Sequence, residues 1–224
     1  MSLSYGRRSR GTSVELISGI YVYTLANSSN EFVTVSSDHA PEKQISLLCF
    51  DKNDAESMLQ KVRSSKGEAD GDVQVIRVRL DKMYKFACDA ASSLGPLTAF
   101  RFLPDRREVY NAIKLHQASG HETDRLIGVP VFQAEGLTIS RQEGKMVTKS
   151  VPLFFTRKDL DIAVDEAFKE NADKAKLEVG TLEDVLTRME SPGYRSWGDV
   201  IFIGPGRAEE MFRPTTPPVE DAQS

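Results

Sequence analysis

The sequence predicts an α/β (α+β) fold built twice, as two similar ββαβαβ halves related by a pseudo-two-fold through internal duplication. Three observations carry this. Short apolar and β-branched runs alternate with stretches whose apolar residues recur at i, i+3, i+4 and i+7, the pattern of strands alternating with helices that cover a sheet. Gly19-Ile20-Tyr21-Val22-Tyr23 is echoed by Gly128-Val129-Pro130-Val131-Phe132, and Leu48-Cys49-Phe50 by Leu153-Phe154-Phe155. The spacing between copies stays near roughly a hundred residues with its drift in loops, which marks a duplicated domain-sized unit and not a solenoid repeat.

In the first half, Ile20 to Leu25 reads as a strand, Asn27-Ser28-Ser29-Asn30 as its turn, and Phe32 to Val35 as the returning strand of a hairpin. Ile45 to Phe50 is a strand of the buried type. Asp51 caps the helix that follows, Asp54 lies in its first turn, and Ala55, Met58, Leu59 and Val62 form one apolar stripe. Ser64 to Asp72 reads as a solvated loop, and Val73, Val75 and either Ile76 or Val78 begin another strand. A second helix runs from about Asp81 with Met83, Phe86, Ala87, Ala90 and Ala91 on one side, until Leu94-Gly95-Pro96 breaks it. Phe100 to Leu103 is the last strand. Asp105 and Glu108 form a capping box for a helix that buries Val109, Ala112 and Ile113 and ends at Ser119-Gly120.

The second half follows the same order. Val129 to Phe132 and Leu137 to Ile139 form a hairpin around Glu135-Gly136, and Val151 to Phe155 is the next strand. Thr156 caps a helix, with Asp159 three residues on and a stripe of Leu160, Ala163, Val164, Ala167 and Phe168. Leu177 and Val179 are strand-like, and Thr181 and Asp184 cap a helix with Leu182, Val185, Leu186 and Met189 inward. Val200 to Ile203 is the final strand, closed by a turn at Gly204-Pro205-Gly206. The stripe Ala55, Met58, Leu59, Val62 corresponds one by one to Leu160, Ala163, Val164, Ala167, and the cap pair Asp51/Asp54 to Thr156/Asp159. Pro130 and Pro152 fit edge strands, because proline donates nothing to a ladder. The chain therefore divides into a basic tail (1–13), a first half (14–120), a second half (121–213) and a Pro-rich, disordered tail (214–224).

Composition excludes several functions. A net charge of -4 argues against broad binding of nucleic acid or anionic membranes. No apolar run has the length of a spanning helix, so the protein is not expected to cross a membrane by a helix, and peripheral contact stays open. Two cysteines make no disulfide framework, and Cys49 and Cys88 read as small buried hydrophobes. His116 and His121 lie near Glu122, but no further ligand is visible, so they read as exposed polar residues and no metal site is expected. No nucleophile elbow, phosphate loop or dinucleotide fingerprint occurs, and Gly204-Pro205-Gly206 lacks a donor that a phosphate would use. No catalytic residue and no cofactor are expected. Trp197 is expected to pack against the final helix. The distinctive content is apolar: Tyr21, Tyr23, Phe32, Val131, Phe132, Leu137, Phe154 and Phe155. Most belong to the core, and some are candidates for a groove that takes an extended or helical client. Phe132 and Phe154 are the candidate pocket residues, since strand alternation places them on a face with few other aromatics.

Gly128 to Gln133 (GVPVFQ), Phe100 to Ala112 (FRFLPDRREVYNA), Val179 to Met189 (VGTLEDVLTRM) and Trp197 to Gly206 (WGDVIFIGPG) together resemble the Tic twenty-two family, over about residues 15–207 and in the family's order. This is a family associated with the translocon of the chloroplast inner envelope. The resemblance implies a soluble protein of the envelope intermembrane space that assists import of transit-peptide-bearing precursors. It also implies chaperone-like binding without nucleotide, translocon subunits as partners, and hydrophobic pockets on a pseudosymmetric fold. It carries no catalytic residue. Two departures stand out: Gly204-Pro205 where the family commonly has two prolines, and an opening segment with the basic, serine-rich composition of a transit peptide but too short for one. The alternative is a structural subunit that binds folded translocon partners.

Overall fold

The computed structural model describes residues 16–37, 40–66, 72–93, 98–143, 146–190 and 199–212. In chain order the elements are β1 (Tyr21–Ala26), β2 (Val35–Ser37), β3 (Ala40–Cys49), α1 (Lys52–Lys66), β4 (Gln74–Arg79), α2 (Leu80–Ser93), β5 (Thr98–Leu103) and α3 (Arg106–Ala118). They continue as β6 (Pro130–Ala134), β7 (Ile139–Glu143), β8 (Met146–Phe154), α4 (Arg157–Phe168), a 3-10 segment (Lys169–Lys174), β9 (Leu177–Thr181), α5 (Leu182–Glu190), β10 (Asp199–Ile203) and α6 (Ala208–Phe212). The fold is mixed α/β with two sheets, as the sequence predicts. α1 runs on to Lys66, into the stretch expected to be loop. Leu94-Gly95-Pro96, Trp197 and both tails lie outside the described residues.

Both sheets have the same order. In the first, β3 pairs parallel with β5 and antiparallel with β2 and β1, and β1 pairs antiparallel with β4. In the second, β8 pairs parallel with β10 and antiparallel with β7 and β6, and β6 pairs antiparallel with β9. Individual bonds recur as well. Tyr23 faces Cys49 as Phe132 faces Phe154. The Phe50 N–H donates to the Leu103 carbonyl at 2.9 Å, and the Phe155 N–H to the Ile203 carbonyl at 3.2 Å. The Leu80 N–H reaches the Ile20 carbonyl at 2.9 Å, and the Leu182 N–H the Val129 carbonyl at 2.8 Å.

The two expected hairpins are corrected. β1 lies between β3 and β4, and β6 between β8 and β9, so neither has a free edge for the strand that follows it. Near β1 the returning chain makes only the Ala26–Phe32 bridge and a Val33 N–H bond to the Leu25 carbonyl at 2.9 Å. β2 and β7 then pair with β3 and β8, the next strands in sequence.

The edge-strand expectation for proline is corrected too. Pro130 is the first residue of β6, an inner strand, and Pro152 sits within β8, the central strand of its sheet. Backbone N–H groups alternate sides along a strand. The Phe155 N–H points toward β10, so the nitrogen of Pro152 faces the other side. There the β7 ladder ends at Ser150 and the β6 pairing begins at Phe154, and the missing donor falls in the gap between them.

By compactness the chain divides into Met1–Asp105 with Leu186–Tyr194, and Arg106–Val185 with Arg195–Ser224, which differs from the expected halves 14–120 and 121–213. α3 belongs to the second unit because it covers β6 and β9 and buries Ala112 in that unit's core. Its Glu108, read as a capping-box residue, is buried and accepts the Arg157 N–H at 2.8 Å, which satisfies an orphan donor at the start of α4. The second core gathers Phe132, Phe154, Leu160, Ile162, Ala163, Val164 and Ile203. In the first unit Leu25, Val62 and Val73 form a buried cluster with Met58, Leu59 and Val75 against it. The one-to-one stripe match fails at its last position, where Val62 is buried and Ala167 is exposed; Ile162 is buried without having been expected.

The caps are as expected. Thr156 accepts the Asp159 N–H at 3.1 Å, Thr181 accepts the Asp184 N–H at 3.1 Å, and Asp51 accepts the Asn53 N–H at 3.0 Å. Gly128 has φ +108°, and a Cβ there would stand 2.7 Å from Glu183 Oε2 and 3.1 Å from Thr181 Cβ. That same Oε2 accepts the Val129 N–H at 2.9 Å, so it cannot swing away freely. Gly128→Ala should cost about 2–4 kcal/mol, from left-handed strain and the disturbed charge-assisted bond. Chemical denaturation reads this directly, and an unchanged midpoint would show that the turn relaxes without loss.

Candidate functional site

Phe132 and Phe154 are brought together as register partners on β6 and β8, and both are fully buried. Ala112, Leu160, Ala163 and Ile203 complete their cluster, and Phe212 lies 6.2 Å from Phe154, ring centre to ring centre. The face they share is the core face of the sheet. Neither ring lines a surface groove in this conformation.

Partly exposed aromatic surface lies instead on the first unit. The Asn27 side chain accepts the Ser29 and Glu31 N–H groups at 3.0 and 2.9 Å, and Asn30 turns the chain at φ +61°. That Asx turn returns Phe32 beside Ala26. β5, parallel to β3, carries Phe100, and α2 carries Phe86. The three rings meet, with centres 5.9 Å apart for Phe32–Phe86, 5.8 Å for Phe32–Phe100 and 5.2 Å for Phe86–Phe100, in tilted and edge-on arrangements that aromatic quadrupoles favour. Phe32 and Phe100 are half-buried and Phe86 is 46 % exposed. Phe102, two residues along β5, stacks on Tyr84 at 6.4 Å and meets Phe50 at 6.1 Å.

Matched backbone bonds set the corresponding positions in the other half. Phe50–Phe102 has its counterpart in Phe155–Phe202 at 5.8 Å. Phe86 and Phe100 correspond to Arg188 and Val200, so these positions of the other half carry no matching pair of rings. Sequence reasoning placed Phe86 on the buried side of α2 and left Phe100 inside a strand. The usable signal was the absence of aromatics at the matching positions of the other half.

Cys49 is buried, and burial, with Asp54 and Asp51 nearby, pushes its thiol up to about 11. At pH 7 its thiolate fraction is on the order of one in ten thousand, too small for a resting nucleophile. The Cys88 side chain is outside the described residues. Among the described residues no group of three or more metal-ligating side chains comes together, and no helix is long and apolar enough to cross a membrane. His116 and His121 do meet, with ring centres 5.5 Å apart.

A family model described as the Tic22-like family matches residues 9–213. "Protein TIC 22, chloroplastic" of Pisum sativum is 36% identical over 195 residues, covering 85% of this chain and 71% of that protein. The Arabidopsis thaliana protein of the same description is 35% identical, covering 86% and 67%. Among solved structures, Anabaena Tic22 superposes with a TM-score of 0.71 at 19% identity over 92% of this chain and 97% of that one. Tic22 from Plasmodium falciparum superposes with a TM-score of 0.66 at 19% identity over 92% and 100%.

Proposed function

The chain belongs to the Tic22-like family of protein-import components, and from that membership we propose that it is a chaperone-like import factor of the chloroplast. In this reading it works in the envelope intermembrane space, holds unfolded, transit-peptide-bearing precursors on apolar surface without nucleotide, and hands them between translocon subunits. The observation that carries the holding step is the Phe32–Phe86–Phe100 cluster, in which Phe86 keeps nearly half its surface in water. A contiguous aromatic surface on a soluble face gives an unfolded chain somewhere to bury its own apolar side chains. Phe132 and Phe154, in the core of the second unit, would touch a client only if that unit opened. The matched strand order and paired bonds of the two sheets support descent from one duplicated segment.

The test is suppression of aggregation. A chemically unfolded precursor is diluted into buffer with the purified protein and no nucleotide, and light scattering is followed. Suppression at near-stoichiometric ratios is expected, and Phe86→Ser should weaken it several-fold while the variant stays folded, with a stability loss of about 1–2 kcal/mol from the lost ring contacts. Full suppression by Phe86→Ser would move the contact off this cluster. No suppression by the folded wild-type protein would overturn the holding reading and favour a scaffold that binds folded translocon subunits.

A further inference from the structure

The last turn of α3 and the residues after it form a Schellman-type C-cap. The His121 N–H donates to the His116 carbonyl and the Gly120 N–H to the Gln117 carbonyl, both at 3.0 Å, with Gly120 at φ +84°. In that motif the side chains at the two ends of the longer bond meet, usually as an apolar pair. Here both are imidazoles, His116 and His121, at 5.5 Å between centres and 73° between planes. Their backbone frame is held from several sides: Ser119 Oγ donates to the Leu115 carbonyl at 3.0 Å, Gln117 Nε2 to the Thr123 carbonyl at 2.9 Å, and Thr123 Oγ1 to the Arg125 carbonyl at 2.8 Å.

We propose that His116 and His121 are a two-histidine site for a borderline divalent transition metal, of which Zn²⁺ is the probe. The separation fits. With a Zn–N bond of about 2.0–2.1 Å, the metal sits about 3.2 Å from each ring centre, and a tetrahedral angle then puts the centres about 5.2 Å apart. His χ2 is a soft torsion and His121 is exposed, so rotation of the rings is open to bring a nitrogen of each to the metal. Two coordination positions stay with water, since no third protein ligand joins the pair among the described residues. The bound metal would cross-link the end of α3 to the segment that leads into β6.

The experiment is calorimetric titration of Zn²⁺ into the untagged full chain, with thermal unfolding followed in parallel. One site per chain is expected, lost in both His116→Gln and His121→Ala and kept in His39→Gln, and the metal should raise the unfolding midpoint of the wild type and of His39→Gln but of neither other variant. Circular dichroism checks the fold of each variant, and exposed His121 gives one that folds regardless. Zn²⁺ binding that survives either substitution, or no binding by the wild type at millimolar Zn²⁺, overturns the assignment.

Discussion

Phe132→Ala or Phe154→Ala is expected to lower folding stability by about 3–5 kcal/mol, the usual cost of emptying a fully buried phenylalanine site. Both rings are wholly buried, face each other across β6 and β8, and sit among Leu160, Ala163 and Ile203, which are buried as well. Helices α3 and α4 both contribute to that cluster, so the cavity cannot collapse by moving one side chain. Urea denaturation followed by circular dichroism measures the loss. Phe132→Leu leaves a smaller void and should fold with a more modest deficit. It also separates two roles: if the ring only supports the core, Phe132→Leu suppresses aggregation as well as the wild type does. A Phe132→Ala midpoint equal to that of the wild type would remove the core role altogether.

Asp159→Ala should cost about 2–4 kcal/mol, far more than a surface carboxylate. Asp159 is 2 % exposed, and its carboxylate takes the Gly206 N–H at 2.9 Å, the Ala208 N–H at 3.0 Å and the Thr156 hydroxyl. It also lies in the first turn of α4, where the helix dipole favours a negative charge. The side chain therefore ties the start of α4 to the turn after β10 and to α6. Removing it strands the buried Ala208 N–H, and an unmet buried donor costs about 1–3 kcal/mol before the lost charge-assisted bonds are counted. Water can reach the start of this turn at Gly206, an exposed residue, but not the N–H of buried Ala208. Hydrogen exchange at the Ala208 amide should speed up sharply in the variant. Asp161→Ala, which removes only the half-exposed partner of Arg157, is the control and should change stability by less than about 1 kcal/mol. Equal losses in the two variants would show that Asp159 is not the link described.

Strand and helix positions were legible because each element carries its own local signature. Thr156 and Thr181 announce helix starts by side-chain chemistry, and Gly120, Gly136 and Gly206 announce turns where φ is positive. The candidate site was less legible. Phe132 and Phe154 have the alternation of a sheet face, but alternation alone does not say whether that face meets a helix or water. Phe86 fits the apolar side of α2 by spacing, yet nearly half of it is exposed beside Phe32 and Phe100, residues far from it in sequence.

The sequence by itself determined the alternation of strands and helices, the repeated order of the two halves, the caps at Thr156 and Thr181 and the Tic22-like resemblance. All of these rest on interactions within a few residues or on motifs read in order. Tertiary structure alone decided the strand neighbours that leave no room for the hairpins, the gap that accommodates Pro152, the assignment of α3 to the second unit and the use of Asp159 as a buried link. Those depend on which distant segments share an edge, a core or a buried donor, and no local preference encodes that.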